Sequence, residues 1–238
     1  MKQAIDFSLI LPCFNEAKLF DASLARIIQA LDAGAYSYEI IFVDDASKDK
    51  TVKLIKKACK RYQFCHAIFH TINTGRGQSV MDGVRKARAP VVGFIDIDCE
   101  VSPVYLPHMV SLIRDKRAAV VIGRRHYRSS PSSMFREILS RGYQWIADAL
   151  IGTGGMDTET GYKVFDKRKI LPLFDRIEEK GWFWDTEIMV YAKRARLNII
   201  EVPVLFLRRF DKVSSVHIVK DTRDYLIHLW KLNRKLYS

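Results

Sequence analysis

The stretch Val91-Val92-Gly93-Phe94-Ile95-Asp96-Ile97-Asp98-Cys99-Glu100 decides how the rest of the chain is interpreted. Its first half predicts a buried strand, because β-branched and aromatic residues follow one another without a charge. Alternate side chains of a strand share a face, so Asp96, Asp98 and Glu100 are expected to point the same way. Three converging carboxylates are tolerable around a hard cation, which predicts a Mg²⁺ or Mn²⁺ site that also takes up substrate phosphates. A solvated acidic turn is the alternative.

The bulk composition indicates a globular domain with an anionic partner. The chain has 238 residues, of which 48% are hydrophobic and 28% charged, and its net charge is +12. A positive excess of this size favours nucleic acid, a membrane surface or a phosphorylated substrate. No RNA-binding or helix-turn-helix signature accompanies it, so we expect no nucleic acid partner. No run of about 18 apolar residues predicts a membrane span, no signal peptide is recognised, and the four cysteines lack metal-motif spacing, which favours free thiols.

Five apolar segments alternate with amphipathic helices over the first half of the chain. The predicted strands cover residues 7–12, 39–43, about 66–71, 91–95 and 118–123. This order predicts a mostly parallel sheet with helices on both faces, and such sheets bind ligands at the carboxyl ends of their strands. Four polar clusters fall at those ends: Asn15/Glu16, Asp44/Asp45, Arg76 in a Gly-rich turn, and Asp96/Asp98/Glu100. Ser47 is predicted to cap the helix that follows the second strand.

The second half is more basic. Residues 124–133 are predicted to be an Arg- and Ser-rich loop, followed by a helix over 135–151. Asp157 begins a turn into a strand, and the last strand contains Pro203, which predicts an edge position or a bulge. The C-terminal segment predicts a basic amphipathic helix with Tyr225, Leu229 and Leu232 on its apolar side. Its basic side is either solvated or lies on an anionic membrane or a membrane partner.

Six of these segments, in this order, resemble the family 2 glycosyltransferases of GT-A fold, and specifically the branch of dolichyl-phosphate mannose synthases and polyprenyl-phosphate glycosyltransferases. The matching segments are Pro12–Glu16, Val43–Thr51 (with Ala46 where glycine is usual), Asn73–Gly77, Asp96–Glu100 (with Glu100 where glutamine is usual), Asp157–Lys163 and Glu201–Ser214. The resemblance implies an α/β GT-A domain over 1–215, with a Rossmann-like nucleotide-sugar-binding half over 1–123 and an acceptor half over 124–215. A C-terminal helix over 216–238 follows it.

The resemblance also implies the roles of individual residues. The residues implied to bind the donor are Pro12, Phe14, Asn15, Glu16, Asp44, Asp45, Gly75, Arg76, Asp96 and Asp98. The metal, Mg²⁺ or Mn²⁺, falls to Asp96, Asp98 and Glu100; the acceptor phosphate falls to Arg125, Arg136, Ser140 and Arg209; and the catalytic residues are Asp98, Asp157 and Arg125. Asp185 and Glu187 are the candidate bases if the acceptor is instead a hydroxyl.

The implied reaction is inverting transfer of a sugar from a nucleotide-diphosphate sugar to a polyprenyl or dolichyl phosphate. GDP-mannose is the first expected donor and UDP-glucose the second. The enzyme is expected to be a peripheral protein at the cytoplasmic face of a membrane. It acts there either alone or with a separate membrane subunit. The alternatives are a same-fold transferase acting on a hydroxyl, a nucleotidyltransferase, and a non-catalytic protein that binds a nucleotide-sugar or an anionic membrane.

Overall fold

The structure is a computed structural model that describes residues 4–127, 142, 145–207 and 218–237. Seven strands form its sheet: β1 Phe7–Cys13, β2 Tyr38–Asp44, β3 Cys65–Phe69, β4 Val91–Ile95, β5 Val120–Tyr127, β6 Tyr162–Asp166 and β7 Ile199–Phe206. The helices are α1 Phe20–Asp32, α2 Thr51–Arg61, α3 Arg76–Lys86, α4 Leu106–Arg114, α5 over 145–151, α6 Lys167–Ile170, α7 Trp184–Arg194 and α8 Ile218–Tyr237. A 3₁₀ turn, Pro103–Tyr105, precedes α4, and a second one, Leu171–Arg176, follows α6.

The sheet has the strand order β3-β2-β1-β4-β6-β5-β7. All neighbouring strands are parallel except β6, which runs antiparallel to both β4 and β5. The predicted mostly parallel α/β sheet is therefore confirmed. β7 lies at one end of the order, as Pro203 predicted, because a residue without an N–H cannot serve a strand that is paired on both sides.

Helices cover both faces of this sheet. The buried side chains of α1, α2 and α4 form one apolar cluster with one face of the strands, for example with Leu9 and Leu11. Those of α3, α5, α6, α7 and α8 form a second cluster with the other face, for example with Ile10. Since neighbouring residues of β1 point to opposite faces and both are buried, the strand carries a continuous apolar run rather than an alternating one.

Three local predictions need correction. β5 continues to Tyr127, so Arg124 and Arg125 lie on a strand paired with β7 rather than in a loop. β4 ends at Ile95 and residues 96–99 form a turn, so strand period does not orient the carboxylates after it. Ser47 is not the cap of α2, which begins at Thr51; the Asp49 carboxylate accepts the Thr51 N–H at 2.8 Å instead.

Two chemical expectations can be compared with the described residues. The four cysteines are free thiols. Within the described part of the chain, no helix is long and apolar enough to cross a membrane. The predicted boundary between residues 215 and 216 falls outside the described ranges, so the domain limits remain a prediction.

Ala46 offers a direct test of the backbone at the carboxyl edge. It adopts a φ of 62°, a left-handed conformation that costs a residue with a Cβ about 1–2 kcal/mol. We expect Ala46→Gly to raise the free energy of unfolding by about 1 kcal/mol in urea denaturation. The control is Ala25→Gly on the exposed side of α1, which should lower it by roughly 0.5–1 kcal/mol. A destabilised Ala46→Gly variant would contradict the assignment of strain to this residue.

Candidate active site

The loops after β1 and β2 are bonded to each other at the carboxyl edge of the sheet. The Asn15 backbone N–H donates to Ser47 Oγ at 2.9 Å, and Asn15 Oδ1 accepts the Lys48 N–H at 2.8 Å. The Glu16 N–H donates to Thr51 Oγ1 at 2.8 Å. Asn15 and Glu16 therefore bind the second loop rather than project independently, and they hold two predicted donor-binding segments in one unit.

The predicted donor pocket starts beside this unit. Pro12 is the penultimate residue of β1, and Phe14, just after the strand, leaves 45% of its surface exposed. Asp44 ends β2, and its carboxylate accepts the Ser47 N–H at 3.0 Å. The structure thus brings Pro12, Phe14 and Asp44 to the same edge, where an exposed aromatic ring is available to a flat ligand such as a nucleobase.

Asp45 holds the Gly-rich turn that opens α3. Its carboxylate accepts the N–H groups of Thr74 and Gly75, both at 2.8 Å, and lies 2.8 Å from His70 Nδ1. Burial alone would raise the pKa of Asp45, but these hydrogen bonds outweigh burial and lower it. Because Asp45 accepts the Gly75 N–H, that amide is not available to a bound phosphate. The role of Asp45 in this structure is to position the turn.

Gly75 is required by the same turn. It adopts a φ of 99°, and a Cβ added there would lie 2.4 Å from the backbone oxygen of Lys180. Only glycine meets both constraints without strain. The turn therefore packs against the segment around Lys180, which precedes α7. The aromatic and acidic residues 182–187 lie at the end of this segment and in the first turn of α7.

Four charged side chains, which we call the charge chain, are paired one after another across the site. Arg76 Nε donates to Asp96 Oδ1 at 2.8 Å, and Arg76 Nη1 donates to Asp185. On its other oxygen Asp185 accepts Lys163 Nζ at 2.6 Å. Asp185 is 1% exposed and Lys163 is fully buried, whereas the Asp96 side chain is 36% exposed. The charge chain therefore runs from the interior at β6 and α7, through Arg76 of α3, to the surface at the end of β4.

The four side chains of the charge chain stabilise one another in their charged forms. Burial alone would lower the pKa of Arg76, but Asp185 and Asp96 raise it, so the guanidinium is a permanent positive charge. Burial lowers the pKa of Lys163, and Asp185 opposes this effect. The Arg76 guanidinium also lies 5.2 Å from the centre of the Phe94 ring and 5.1 Å from that of Trp182. Two cations and two carboxylates balance, and Arg76 has acidic partners on Nε and Nη1 and two aromatic rings beside it.

The predicted metal ligands differ from expectation in their arrangement. Within the described residues, no group of three His, Cys, Asp or Glu side chains is placed to hold a metal ion. Asp96 already accepts Arg76, and the Glu100 N–H donates to Asp98 Oδ1 at 3.2 Å in the turn after β4. Asp98 is close enough to raise the pKa of Asp96, after the larger effect of burial. This donor set fits a Mg²⁺ or Mn²⁺ site built from one or two carboxylates plus substrate phosphates, rather than a three-carboxylate cage.

A second cluster is built around Arg125. Its Nε and Nη2 donate to the two oxygens of Asp157 at 2.8 and 2.7 Å, and its backbone N–H donates to the same carboxylate at 2.9 Å. Nη2 lies 3.5 Å from Glu159, while the Asp157 N–H donates to Glu201 at 3.0 Å. Burial would lower the pKa of Arg125, but Asp157 raises it. The two predicted catalytic residues, Arg125 and Asp157, therefore form a bidentate pair with each other.

The two clusters meet along the 157–161 turn. Thr158 and Thr186 are hydrogen-bonded at 3.0 Å, which ties the turn to the start of α7. Tyr225 of α8 hydrogen-bonds to both Thr186 and Glu159. The Arg125 cluster, the charge chain and α8 thus share one connected region of the site.

Three predicted acceptor residues, Arg136, Ser140 and Arg209, lie outside the described residues. Conversely, sequence reasoning gave no role to Lys163, Glu201 or His70, which the structure places in contact with the site. A lysine in the middle of the apolar strand Tyr162–Asp166 was the available signal, because a cation in a buried strand must have an acidic partner.

Comparisons with known proteins bear on this arrangement. The family model "Glycosyl transferase family 2" matches residues 8–174. Glycosyltransferase AglD of Haloferax volcanii is 24% identical over 231 residues, which cover 95% of this chain and 37% of that protein. Dolichyl-phosphate beta-glucosyltransferase ALG5D of Trichomonas vaginalis is 28% identical over 217 residues, covering 85% and 66%. The dolichyl-phosphate beta-glucosyltransferase of Saccharomyces cerevisiae is 26% identical over 263 residues, covering 98% and 79%. The chain therefore spans less than two thirds of the first two relatives.

Solved structures bear on the fold. Glucosyl-3-phosphoglycerate synthase of Mycobacterium tuberculosis, crystallised with Mn²⁺, UDP and glucosyl-3-phosphoglycerate, superposes with a TM-score of 0.71 at 16% identity, over 96% of this chain and 80% of that one. TarS of S. aureus with UDP-GlcNAc gives 0.60 at 17% identity, over 94% and 65%. At such identities the likeness concerns the fold, and the predicted GT-A fold class is confirmed.

Because Asp185 is buried between Arg76 and Lys163, we expect its substitution to lower the free energy of unfolding substantially. In Asp185→Asn, Lys163 and Arg76 lose their shared carboxylate while remaining buried, which should lower the free energy of unfolding by about 3–5 kcal/mol. The measurement is chemical denaturation, with the exposed Asp115→Asn as a control that changes stability by less than about 0.5 kcal/mol. Equal changes in the free energy of unfolding of the two variants would show that the charge chain does not stabilise the fold.

Gly161 predicts a local effect on the Arg76–Asp96 pair. A Cβ at this position would lie 1.9 Å from Asp96 Oδ2 and 2.5 Å from Arg76 Nη2. Gly161→Ala should displace this pair, lower stability by about 1–3 kcal/mol and weaken nucleotide-sugar binding in calorimetric titration. Gly181→Ala is the matched control, because its Cβ meets nothing within 4 Å. Nucleotide-sugar binding that is as strong in Gly161→Ala as in Gly181→Ala would exclude this pair from the donor site.

Proposed function

The chain belongs to glycosyl transferase family 2, and from this membership and its site we propose that it transfers a sugar from a nucleotide-diphosphate sugar to a polyprenyl phosphate. The lipid phosphate oxygen attacks the anomeric carbon, the bond from that carbon to the diphosphate breaks, and the configuration inverts. The products are a polyprenyl-phosphate sugar and a nucleoside diphosphate. The names of the relatives from Trichomonas vaginalis and Saccharomyces cerevisiae support a dolichyl-type acceptor.

One observation carries the choice of a phosphate over a hydroxyl acceptor. Asp185, the candidate base for a hydroxyl, is buried and bound on one side by Arg76 and on the other by Lys163. Glu187, the second candidate, is buried and accepts the Glu179 N–H at 2.9 Å, and burial raises its pKa. A general base must reach the proton that it removes. A phosphate acceptor needs no base, because it is already an anion at neutral pH.

The acceptor half supplies positive charge instead of a base. Arg125 is held in a fixed orientation by Asp157, which suits a residue that positions a phosphate rather than one that moves a proton. By resemblance, Arg136, Ser140 and Arg209 complete the phosphate site. In this proposal Asp157 acts through Arg125, and it contacts neither the sugar nor the lipid.

The donor is proposed to bind at the carboxyl edge of β1, β2 and β4. Phe14 and Asp44 face the base and ribose, with Pro12, Asn15, Glu16, Asp45 and Gly75 shaping the pocket, and Arg76 lies at the diphosphate. Asp96 and Asp98 would hold Mg²⁺ or Mn²⁺, which supplies Lewis-acid stabilisation of the departing diphosphate. Glucose from UDP-glucose now ranks before mannose from GDP-mannose, because the named dolichyl-phosphate relatives are glucosyltransferases.

The remaining alternatives predict different products. A transferase acting on a hydroxyl would glycosylate an alcohol, a nucleotidyltransferase would release pyrophosphate, and a binding protein would hold the donor without turnover. A polyprenyl-phosphate acceptor also implies work at a membrane, as a peripheral protein, and we propose its cytoplasmic face. A membrane subunit is compatible with this proposal.

The sharpest test compares two acceptors that differ only in the phosphate. We expect release of nucleoside diphosphate with polyprenyl phosphate and none with the matching polyprenol, with UDP-glucose the best donor in a panel of UDP- and GDP-sugars. Asp98→Asn should reduce turnover by about two orders of magnitude or more, because it removes electrostatic stabilisation of the leaving group. The reaction is followed by coupled detection of the diphosphate and by chromatography of the lipid product.

Two results would overturn the proposal. Equal turnover with polyprenol would assign a hydroxyl acceptor and require a base that Asp185 does not provide here. Donor binding in calorimetry without turnover on any lipid would favour a binding protein.

A further inference from the structure

The helix α8 presents two apolar sides, of which the domain covers one. Leu229 and Leu232 are buried, and Tyr225 and Leu236 pack against the same apolar cluster. Where side chains of this helix are described, from 223 to 237, the exposed positions are Arg223, Leu226, Ile227, Trp230, Lys231, Arg234, Lys235 and Tyr237. Leu226, Ile227 and Trp230 are large apolar side chains on the outer side, which the basic amphipathic pattern did not predict.

The exposed positions form one stripe. Residues 223, 226/227, 230, 234 and 237 recur at helical spacing, so they share the face opposite Leu229 and Leu232. We call this stripe the outer face of α8. Trp230 is 56% exposed, and the Arg234 guanidinium lies 5.0 Å from the centre of its ring.

The charge of the outer face is of one sign. Arg223 and Arg234 are exposed on the outer face and Lys231 is exposed at its edge, and none of the exposed positions between 223 and 237 is acidic. Lys235, also exposed, is neutralised by Glu178 at 2.7 Å and belongs to the domain contact. Apolar and indole side chains are interleaved here with Arg and Lys side chains that have no acidic partner among the described residues. Such a surface matches an anionic bilayer, where rings enter the headgroup region and cations meet phosphates.

The inner side of the same helix touches the site. Tyr225 hydrogen-bonds to Glu159 and Thr186, and Glu159 lies 3.5 Å from the acceptor-half residue Arg125. The Phe183 ring packs against Tyr225 and His228, both with centroids at 5.4 Å. Its neighbour Trp182, 72% exposed, covers Arg76. The outer face is therefore separated from the site by about one helix diameter, roughly 10 Å.

We propose that the outer face of α8 is a docking surface for an anionic phospholipid membrane, and that it sets the site at the height of lipid headgroups. The reason for docking, access to a lipid phosphate acceptor, rests on the proposed function. Binding of the outer face to the membrane requires neither the donor nor the acceptor. A second copy of the chain is a poorer occupant, because two such faces would bring six like charges together.

The test measures binding of the whole chain to vesicles without any substrate. Co-sedimentation should be strong with phosphatidylcholine–phosphatidylserine vesicles, weak with phosphatidylcholine alone, and reduced by salt. Lys231→Glu/Arg234→Glu and Ile227→Gln/Trp230→Gln should each lower the partition coefficient at least about tenfold. Lys57→Glu/Lys60→Glu is the matched control: it makes the same charge change with the same spacing on exposed positions of α2, which covers the other face of the sheet, and should keep most of the binding.

Circular dichroism establishes that the variants are folded, and turnover with a short-chain, water-soluble polyprenyl phosphate separates docking from chemistry. The α8 variants should retain that turnover while losing vesicle binding. Loss of binding in the α2 control to the same extent would overturn the proposal, since net charge alone would then explain it. So would a wild-type protein that ignores anionic vesicles, or an Ile227→Gln/Trp230→Gln variant that turns a dimer into a monomer in analytical ultracentrifugation without losing lipid binding. Vesicle binding without turnover on any lipid phosphate would leave docking intact and count against the proposed function alone.

Discussion

The requirement that buried charges be paired governs the centre of this molecule. Arg76, Asp185, Lys163 and Asp96 come from four elements that are distant in sequence, and the cations Lys163 and Arg76 can be buried or nearly buried because Asp185 and Asp96 neutralise them. Removing one member leaves an unpaired charge in an apolar surrounding that includes Phe94 and Trp184. The charge chain therefore fixes the positions of α3, β6 and α7 relative to the end of β4, and these positions determine the shape of the site.

Carboxylates in this site serve mainly to position other groups. Asp45 holds the turn before α3 through its N–H groups, Asp157 holds Arg125, and Asp185 holds Arg76 and Lys163. A site whose side chains are already oriented spends little free energy on ordering when a substrate binds. Such an arrangement suits a reaction in which two phosphate-bearing partners must be aligned and no proton has to be removed from the nucleophile.

The sequence predicted the sheet and the site segments because both depend on local patterns. Apolar runs marked β1, β2 and β4, and motifs at their ends marked the donor edge. Side-chain partnerships were less accessible: strand period assigned Asp96, Asp98 and Glu100 to one face, but the strand ends at Ile95. Arg125 was assigned to a loop because charge is common in loops, whereas pairing with β7 extends β5 through it. The outer face of α8 was missed because periodicity identifies an apolar side, and cannot tell which of two apolar sides the domain covers.

The antiparallel strand explains why residues of the predicted acceptor half reach the edge at which donor binding is predicted. In a parallel sheet, ligands collect at the carboxyl ends of strands, and a rule built on those ends finds the loops after β1, β2 and β4. β6 runs the other way, with Tyr162 opposite Ile95, so its amino end lies at that same edge. The segment that precedes β6 is therefore delivered there, with Asp157, Glu159 and Gly161 on it. One reversed strand therefore places this turn between the charge chain around Arg76 and the Arg125 cluster, and brings both to one edge of the sheet.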